Sequence, residues 1–367
     1  MVQLLLKPRS PAKSLILPAL GLVAATLLAP SLARASKQKP PQPVTIPVLQ
    51  LEGGRKLVFE RSFSFEREAK PKRGFWNKLV DVVAGAPEFH HMQRPYSVVS
   101  DSKGRIIVTD PGAAGVHIFD FEQEKYKFLS HPEGKDAMRW PQCVAVDAQD
   151  NIYVTDSDAG KIFVFDAGGK LRHVIGSLKG GEGMFKRPTG IAVDSAAQHI
   201  FVTDTYRNQV FEMDMQGNVL KKFGKNGAGN GEFNFPTELR LEGNTLVVVD
   251  AMNFRVQVLD RDGTFQYAVG RLGDGRGWMF RPKGIGVDSE GHLYVVDGFY
   301  NMVQVFDREG QLLYTFGRNG TGFGDFQLPA GLFIDKNDRV LVVDSFNRRV
   351  QVFHYYALPK TATGGAQ

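Results

Sequence analysis

A proline recurs along the chain at Pro95, Pro141, Pro188, Pro236, Pro282 and Pro329, at intervals of 46, 47, 48, 46 and 47 residues. So regular a period marks a repeat architecture, in which each block buries its apolar face only against its neighbours. The same elements return in every period. The proline opens a short apolar strand that ends in an acid, as in Gly190-Ile191-Ala192-Val193-Asp194 and Gly284-Ile285-Gly286-Val287-Asp288. A second strand ends in aspartate, at Asp156, Asp204, Asp250, Asp297 and Asp344. A third has the form Val256-Gln257-Val258-Leu259, returning at 303–307 and 350–353, and a fourth runs between glycines, at 217–224 and 310–317. Strands this short, punctuated by Gly and Asp turns, cannot bury both faces alone, so four-stranded units must stack on one another.

Six such units predict an all-β fold: a closed six-bladed β-propeller of four-stranded antiparallel blades, within the usual range of about four to eight blades. The 40 glycines and 19 prolines show no three-residue period, which excludes collagen, and 43% hydrophobic residues suffice for a large core. One cysteine, Cys143, excludes an intramolecular disulfide framework and a thiolate zinc cluster. The last unit has three strands, while residues 57–65 form an unpaired strand ahead of the first. That N-terminal strand is expected to complete the last blade and leave no long open sheet edge.

The motif series Pro-x-Gly-Ile-x-Val-Asp, Tyr-Val-x-Asp, Asn-x-x-Val-Gln-Val-Phe and Phe-Gly resembles the NHL repeat over about 260 residues. Repeats three to six carry Asn208, Asn253, Asn301 and Asn347 in the loop between second and third strands. Repeats one and two depart from the pattern there, with Pro111-Gly112 and Ser157-Asp158-Ala159-Gly160. The resemblance implies a six-bladed propeller and no single activity, because the family includes scaffolds, sensors, RNA binders and a few enzyme relatives.

Residues shared by most blades, such as the strand-ending aspartates and the loop asparagines, read as turn chemistry. Function is expected where one blade breaks the pattern near the axis. Two residues after the proline the chain reads Ser97, Cys143, Gly190, Glu238, Gly284 and Gly331, and four after it reads Val99, Ala145, Ala192, Arg240, Gly286 and Phe333. Glu238 and Arg240 share one strand face. They either form an internal salt bridge that fills the channel or offer an acid and a base to a ligand, and both readings stay open. Lys283, Gln142 and Tyr96, each one residue after its proline, are expected at the same channel mouth as ligand-binding groups.

No catalytic residue is assigned. Zinc lyases of the peptidyl-amidating type, which resemble such propellers, use several inward histidines, but the eight histidines here do not fall at equivalent first-strand positions. A gluconolactonase-type Glu/Asn/Asp metal set finds only Glu238. No cofactor is therefore expected, and calcium or zinc enters only under an alternative reading, a metal-dependent hydrolase, lactonase or lyase with its site in the channel.

Residues 1–35 read as an export signal, with Lys7, Arg9 and Lys13 before an apolar run that ends in Ala33-Arg34-Ala35. An uncleaved membrane anchor is the alternative, the run being close to the ~20 residues that span a bilayer. The protein is thus expected to be exported, periplasmic or extracellular. The signal holds four basic residues and no acid, so the formal +6 falls to 41 basic against 39 acidic residues beyond it, which argues against a nucleic-acid partner. Residues 36–56 are a tether and lead-in, 57–356 the propeller, and 357–367 a flexible tail. The ring is interrupted at 66–94, where Phe75, Trp76, Leu79, Val80 and Val83 follow helical spacing. A short amphipathic helix there either packs on the propeller or docks a partner or a membrane surface, helped by Lys70, Lys72, Arg73 and Lys78. The functional expectation is a non-catalytic binding scaffold for a protein or glycan, engaged through the top face and this insertion.

Overall fold

A computed structural model describes residues 47–70, 90–131, 133–179 and 183–357. The export segment, most of the tether, the helix expected around Phe75, Trp76, Leu79, Val80 and Val83, and the C-terminal tail lie outside the described residues.

The strands form six antiparallel sheets, five of four strands and one of five. Their innermost strands are Val98–Ser100, Pro141–Val146, Pro188–Asp194, Pro236–Glu242, Pro282–Val287 and Leu332–Ile334, which open blades 1 to 6. Each touches the innermost strand of the next blade, around a complete circle. Six apolar clusters hold the ring, one at each blade-to-blade interface. Strand alternation makes this arrangement: in blade 3, Ile200 and Val202 join the cluster shared with blade 2, while Phe201 between them joins the one shared with blade 4. Middle strands buried on both faces explain the continuous apolar runs. Among the described residues no helix is long and apolar enough to cross a membrane.

The ring closes as the repeat count requires. Lys56–Phe63 pairs antiparallel with Arg349–Tyr356 and becomes the fourth strand of blade 6. The lead-in holds a further element: Val48–Gln50 folds back on Lys56–Phe63 as a fifth, outermost strand. The connecting turn places Gly53 at φ 72° and Gly54 at φ 89°, a region that residues with a Cβ rarely enter.

Glycine two residues after the proline has a different role. A Cβ on Gly284 would fall inside van der Waals contact of the Leu332 amide nitrogen and the Ala330 carbonyl, both backbone atoms of blade 6. The missing side chain lets two inner strands approach. Gly284→Ala is therefore expected to cost roughly 1–3 kcal/mol by overpacking, read as a lowered midpoint of urea unfolding; an unchanged midpoint would show that the inner strands can part freely.

Candidate functional site

The loops between second and third strands and those between blades lie on one face, the top. Here each strand-ending aspartate secures the entry to its own blade. Proline has no N–H, and the amides just before it would otherwise lack an acceptor at the buried strand start. Asp110 accepts from the amides of Gln93 (2.6 Å) and Arg94 (2.9 Å), Asp204 from Lys186 (2.9 Å) and Arg187 (3.0 Å), and Asp297 from Phe280 (2.7 Å) and Arg281 (3.2 Å). The pairing of proline and aspartate is thus one device. The four asparagines, alike in sequence, divide into two kinds because, in loops of equal length, Asn208 and Asn301 stand four residues after the strand-ending aspartate and Asn253 and Asn347 three. Asn208 and Asn301 adopt left-handed backbone and their side-chain oxygens accept the amides of Phe235 and Leu328 (2.9 and 2.8 Å). Asn253 and Asn347 instead donate to Asp250 and Asp344, each at 2.8 Å.

The same staples fix a ring of side chains that the sequence reading passed over. The residue before each repeated proline is Arg94, Trp140, Arg187, Phe235, Arg281 and Leu328. Arginine and apolar residues alternate, blade by blade. The three arginines and Trp140 line a top-face cavity of about 330 Å³, together with Tyr96, Gln142 and Lys283 of the sequence reading and Thr237, Phe254 and Phe280. Arg94 lies over the Trp140 ring (5.7 Å), Arg187 over Tyr206 (5.3 Å) and Lys283 over Tyr96 (5.5 Å). No acid lines the cavity. Burial first, and then the neighbouring Arg281 and Arg94, lower the Lys283 pKa to about 8. Burial, then Cys143 and Glu238, push the Tyr96 phenol above its ordinary range, so it stays protonated. The signal for the arginines is the position before the proline, compared blade by blade.

Glu238 and Arg240 do not open on this mouth. Their strand runs inward from Pro236, which carries them below it, to 3% and 7% exposure. They meet at 3.2 Å, the geometry of the internal salt bridge. Arg240 reaches across the channel, donating to the carbonyls of Leu332 in blade 6 (3.0 Å) and Ile285 in blade 5 (3.4 Å), with its guanidinium 5.7 Å from the Phe333 ring centre. Glu238 reaches the other way and accepts from the Cys143 thiol of blade 2 at 3.3 Å. Burial pushes the Glu238 carboxyl up against the pull of Arg240, and burial with the adjacent Glu238 keeps the Cys143 thiol protonated. Among the described residues no group of three or more His, Cys, Asp or Glu is placed to hold a metal ion.

Around the mouth, exposed apolar side chains follow the same periodicity. Two residues after the strand-ending aspartate, blades 3 to 6 carry Tyr206, Met252, Phe299 and Phe346, the last two 53% and 66% exposed. Phe235, Phe280 and Leu328 add exposed side chains from the inter-blade loops. Phe280 and Phe299 are in contact, with ring centres 4.4 Å apart. Blades 1 and 2 have Gly112 and Asp158 at the equivalent position, so the apolar surface is a crescent over four blades rather than a ring. Phe235, Leu328 and Phe254 hold φ of 56°, 45° and 57°, a left-handed backbone that costs bulky residues free energy.

This molecule belongs to the class of closed six-bladed β-propellers with a cationic top mouth. The NHL repeat family matches at residues 138–165, in blade 2, and a family described as a six-bladed β-propeller matches at 193–253, across blades 3 and 4. No curated protein is a significant sequence match. Similar folds include a protein of unknown function from Bacteroides thetaiotaomicron, 14% identical, covering 84% of either chain with a TM-score of 0.60. A gluconolactonase from Xanthomonas campestris is 15% identical over 86% of this chain and 99% of its own, with a TM-score of 0.56. Virginiamycin B lyase from Staphylococcus aureus is 13% identical over 82% and 99%, with a TM-score of 0.54. At such identity the likeness is one of fold.

Proposed function

We propose that the protein is a non-catalytic binding scaffold that docks a protein partner on its top face, in the exported compartment to which its N-terminal segment points. The apolar crescent carries this reading. Seven large apolar side chains surround one mouth, and soluble monomers rarely leave so contiguous a patch uncovered. Three of them or their neighbours are held in strained backbone, which a fold selected for stability alone would shed. The flat propeller supplies rigidity, so little ordering entropy is lost on docking. A protein fits better than a neutral glycan, because the crescent offers few hydrogen-bonding groups for hydroxyls. The channel gives less support to the metal-dependent alternative, since Glu238 is already held by Arg240 and Cys143.

Proximity labelling in the exported compartment tests the reading with Phe299→Ser/Phe346→Ser. Partners labelled by the native protein should fall at least about tenfold in the variant, as expected for loss of two aromatic anchors, while a bottom-face variant such as Lys336→Ser keeps them. Equal labelling by both variants would rule out docking on the crescent. The metal-dependent alternative makes a separate forecast: calcium or zinc should raise the melting temperature of the native protein and not of Glu238→Gln. On the scaffold reading neither ion moves it.

A further inference from the structure

Four cations converge on the mouth without a counter-charge. Arg94, Arg187, Arg281 and Lys283 line one cavity, and none has an acid within ion-pair distance among the described residues. The nearest candidates are committed elsewhere, since Asp110, Asp204 and Asp297 are fully buried and accept the backbone amides of Arg94, Arg187 and Arg281. Glu238, below the mouth, is bound to Arg240. Like charges gathered in a part-buried cavity repel one another and oppose folding. At Lys283 burial first, and then repulsion from Arg281 and Arg94, depress the pKa. A ring of arginine in alternate blades is no requirement of the propeller, whose other blades place Trp140, Phe235 and Leu328 at the same position.

We infer that the mouth is a binding site for a small organic anion: a carboxylate, sulfonate or phosphate group carried on a flat apolar body. The guanidiniums and Lys283 take the acid group, for which forked N–H donors are suited. Trp140, Tyr96, Phe254 and Phe280 wall the remainder, which favours a ring. A volume of about 330 Å³ lies at the small end of ligand pockets, room for one or two rings and an acid, not for a track of nucleic-acid phosphates. Phe254 supports the assignment further, because it stands at a left-handed position where blades 3 and 5 carry Asn208 and Asn301, residues that tolerate that backbone better. The inference is independent of protein docking on the crescent: a small anion binds the mouth whether or not a partner covers the rim.

Isothermal titration of the purified native protein with indole-3-carboxylate, its neutral amide, inorganic phosphate, and a short peptide with a free C-terminal tryptophan tests it. The acid should bind saturably and the amide at least about tenfold more weakly, the free-energy equivalent of one charge-assisted contact. Lys283→Met, which keeps the stem and removes a poorly solvated charge, is expected to be at least as stable as the native protein and to weaken the acid about tenfold. Phe254→Asn should keep the melting temperature and weaken the aromatic acid more than phosphate. Affinity should fall as pH rises through about 8, where Lys283 loses its proton in the free protein while Tyr96 stays neutral. Tighter binding of the peptide would assign the source of the anion to a partner's chain terminus, and tighter binding of the free acid to a small metabolite. No saturable binding by any anion, equal binding of acid and amide, or indifference to Lys283→Met would each overturn the site, as would an oligonucleotide that binds more tightly than every acid.

Discussion

Arg240→Ala is expected to lose about 3–5 kcal/mol of stability at neutral pH, as removal of one partner from a buried ion pair does. The side chain joins three blades: it balances Glu238 of its own strand and satisfies the Leu332 and Ile285 carbonyls of the two blades beyond. Its removal leaves a buried carboxylate and two carbonyls with fewer partners. The loss should depend on pH in a defined direction. Burial already holds the Glu238 carboxyl above its ordinary pKa with Arg240 present, and without the guanidinium it rises further. Between the unfolded and the folded pKa, the native state keeps a proton that the unfolded chain has released, so stability falls as pH rises through that window. The variant should therefore lie closer to the native protein at pH 5 than at pH 8. Adding Glu238→Gln should recover part of the loss and flatten the pH dependence. Urea unfolding across this range decides between charge and packing, because a pH-independent deficit without rescue would assign the role of Arg240 to its contact with Phe333.

Phe63→Ala is expected to cost about 3–5 kcal/mol, the range for a buried aromatic truncated in a core. Phe63 is 1% exposed and its ring centre lies 4.8 Å from Phe119 and 5.0 Å from Phe121 of blade 1. It sits on the strand that closes blade 6, so the contact fastens the last blade to the first across the seam of the ring. Removing residues 47–65 should do more than destabilise. Arg349–Tyr356 would become a bare sheet edge of eight residues, and such an edge pairs with other chains. Light scattering should show concentration-dependent self-association of the truncated protein, whereas Phe63→Ala, which keeps the strand, stays monodisperse. A monodisperse truncated protein with unchanged unfolding would mean that the seam is held from elsewhere.

Much of the fold was legible in the sequence. The proline period counted the blades, the acid that ends each second strand marked the turns, and the surplus strand at the N-terminus predicted how the ring closes. These features are local or periodic, and stacking of equal units follows from them with few alternatives. The coupling of Glu238 to Arg240 was partly legible, since residues two apart on a strand share a face. That Arg240 also spans to blades 5 and 6, and Glu238 to Cys143 of blade 2, was not. Distances across a channel depend on where six strands converge, and no sequence spacing encodes them.

The mouth lies between these cases. Tyr96, Gln142 and Lys283 are legible as mouth residues because each follows its proline by one position, whereas the strand carries Glu238 and Arg240 deeper than their spacing from the proline suggests. The arginines at 94, 187 and 281 stood in plain view as letters, but nothing local distinguishes an arginine at the mouth from one in solvent. The sequence by itself determined the repeat, the number of blades and the order of strands, because hydrophobic period and turn chemistry act between near neighbours. Only the tertiary structure decided that residues about 47, 94 and 187 positions apart face one cavity. Closing the ring brings every blade's proline corner to the same axis, and a charge pattern spread over the whole chain becomes a single site.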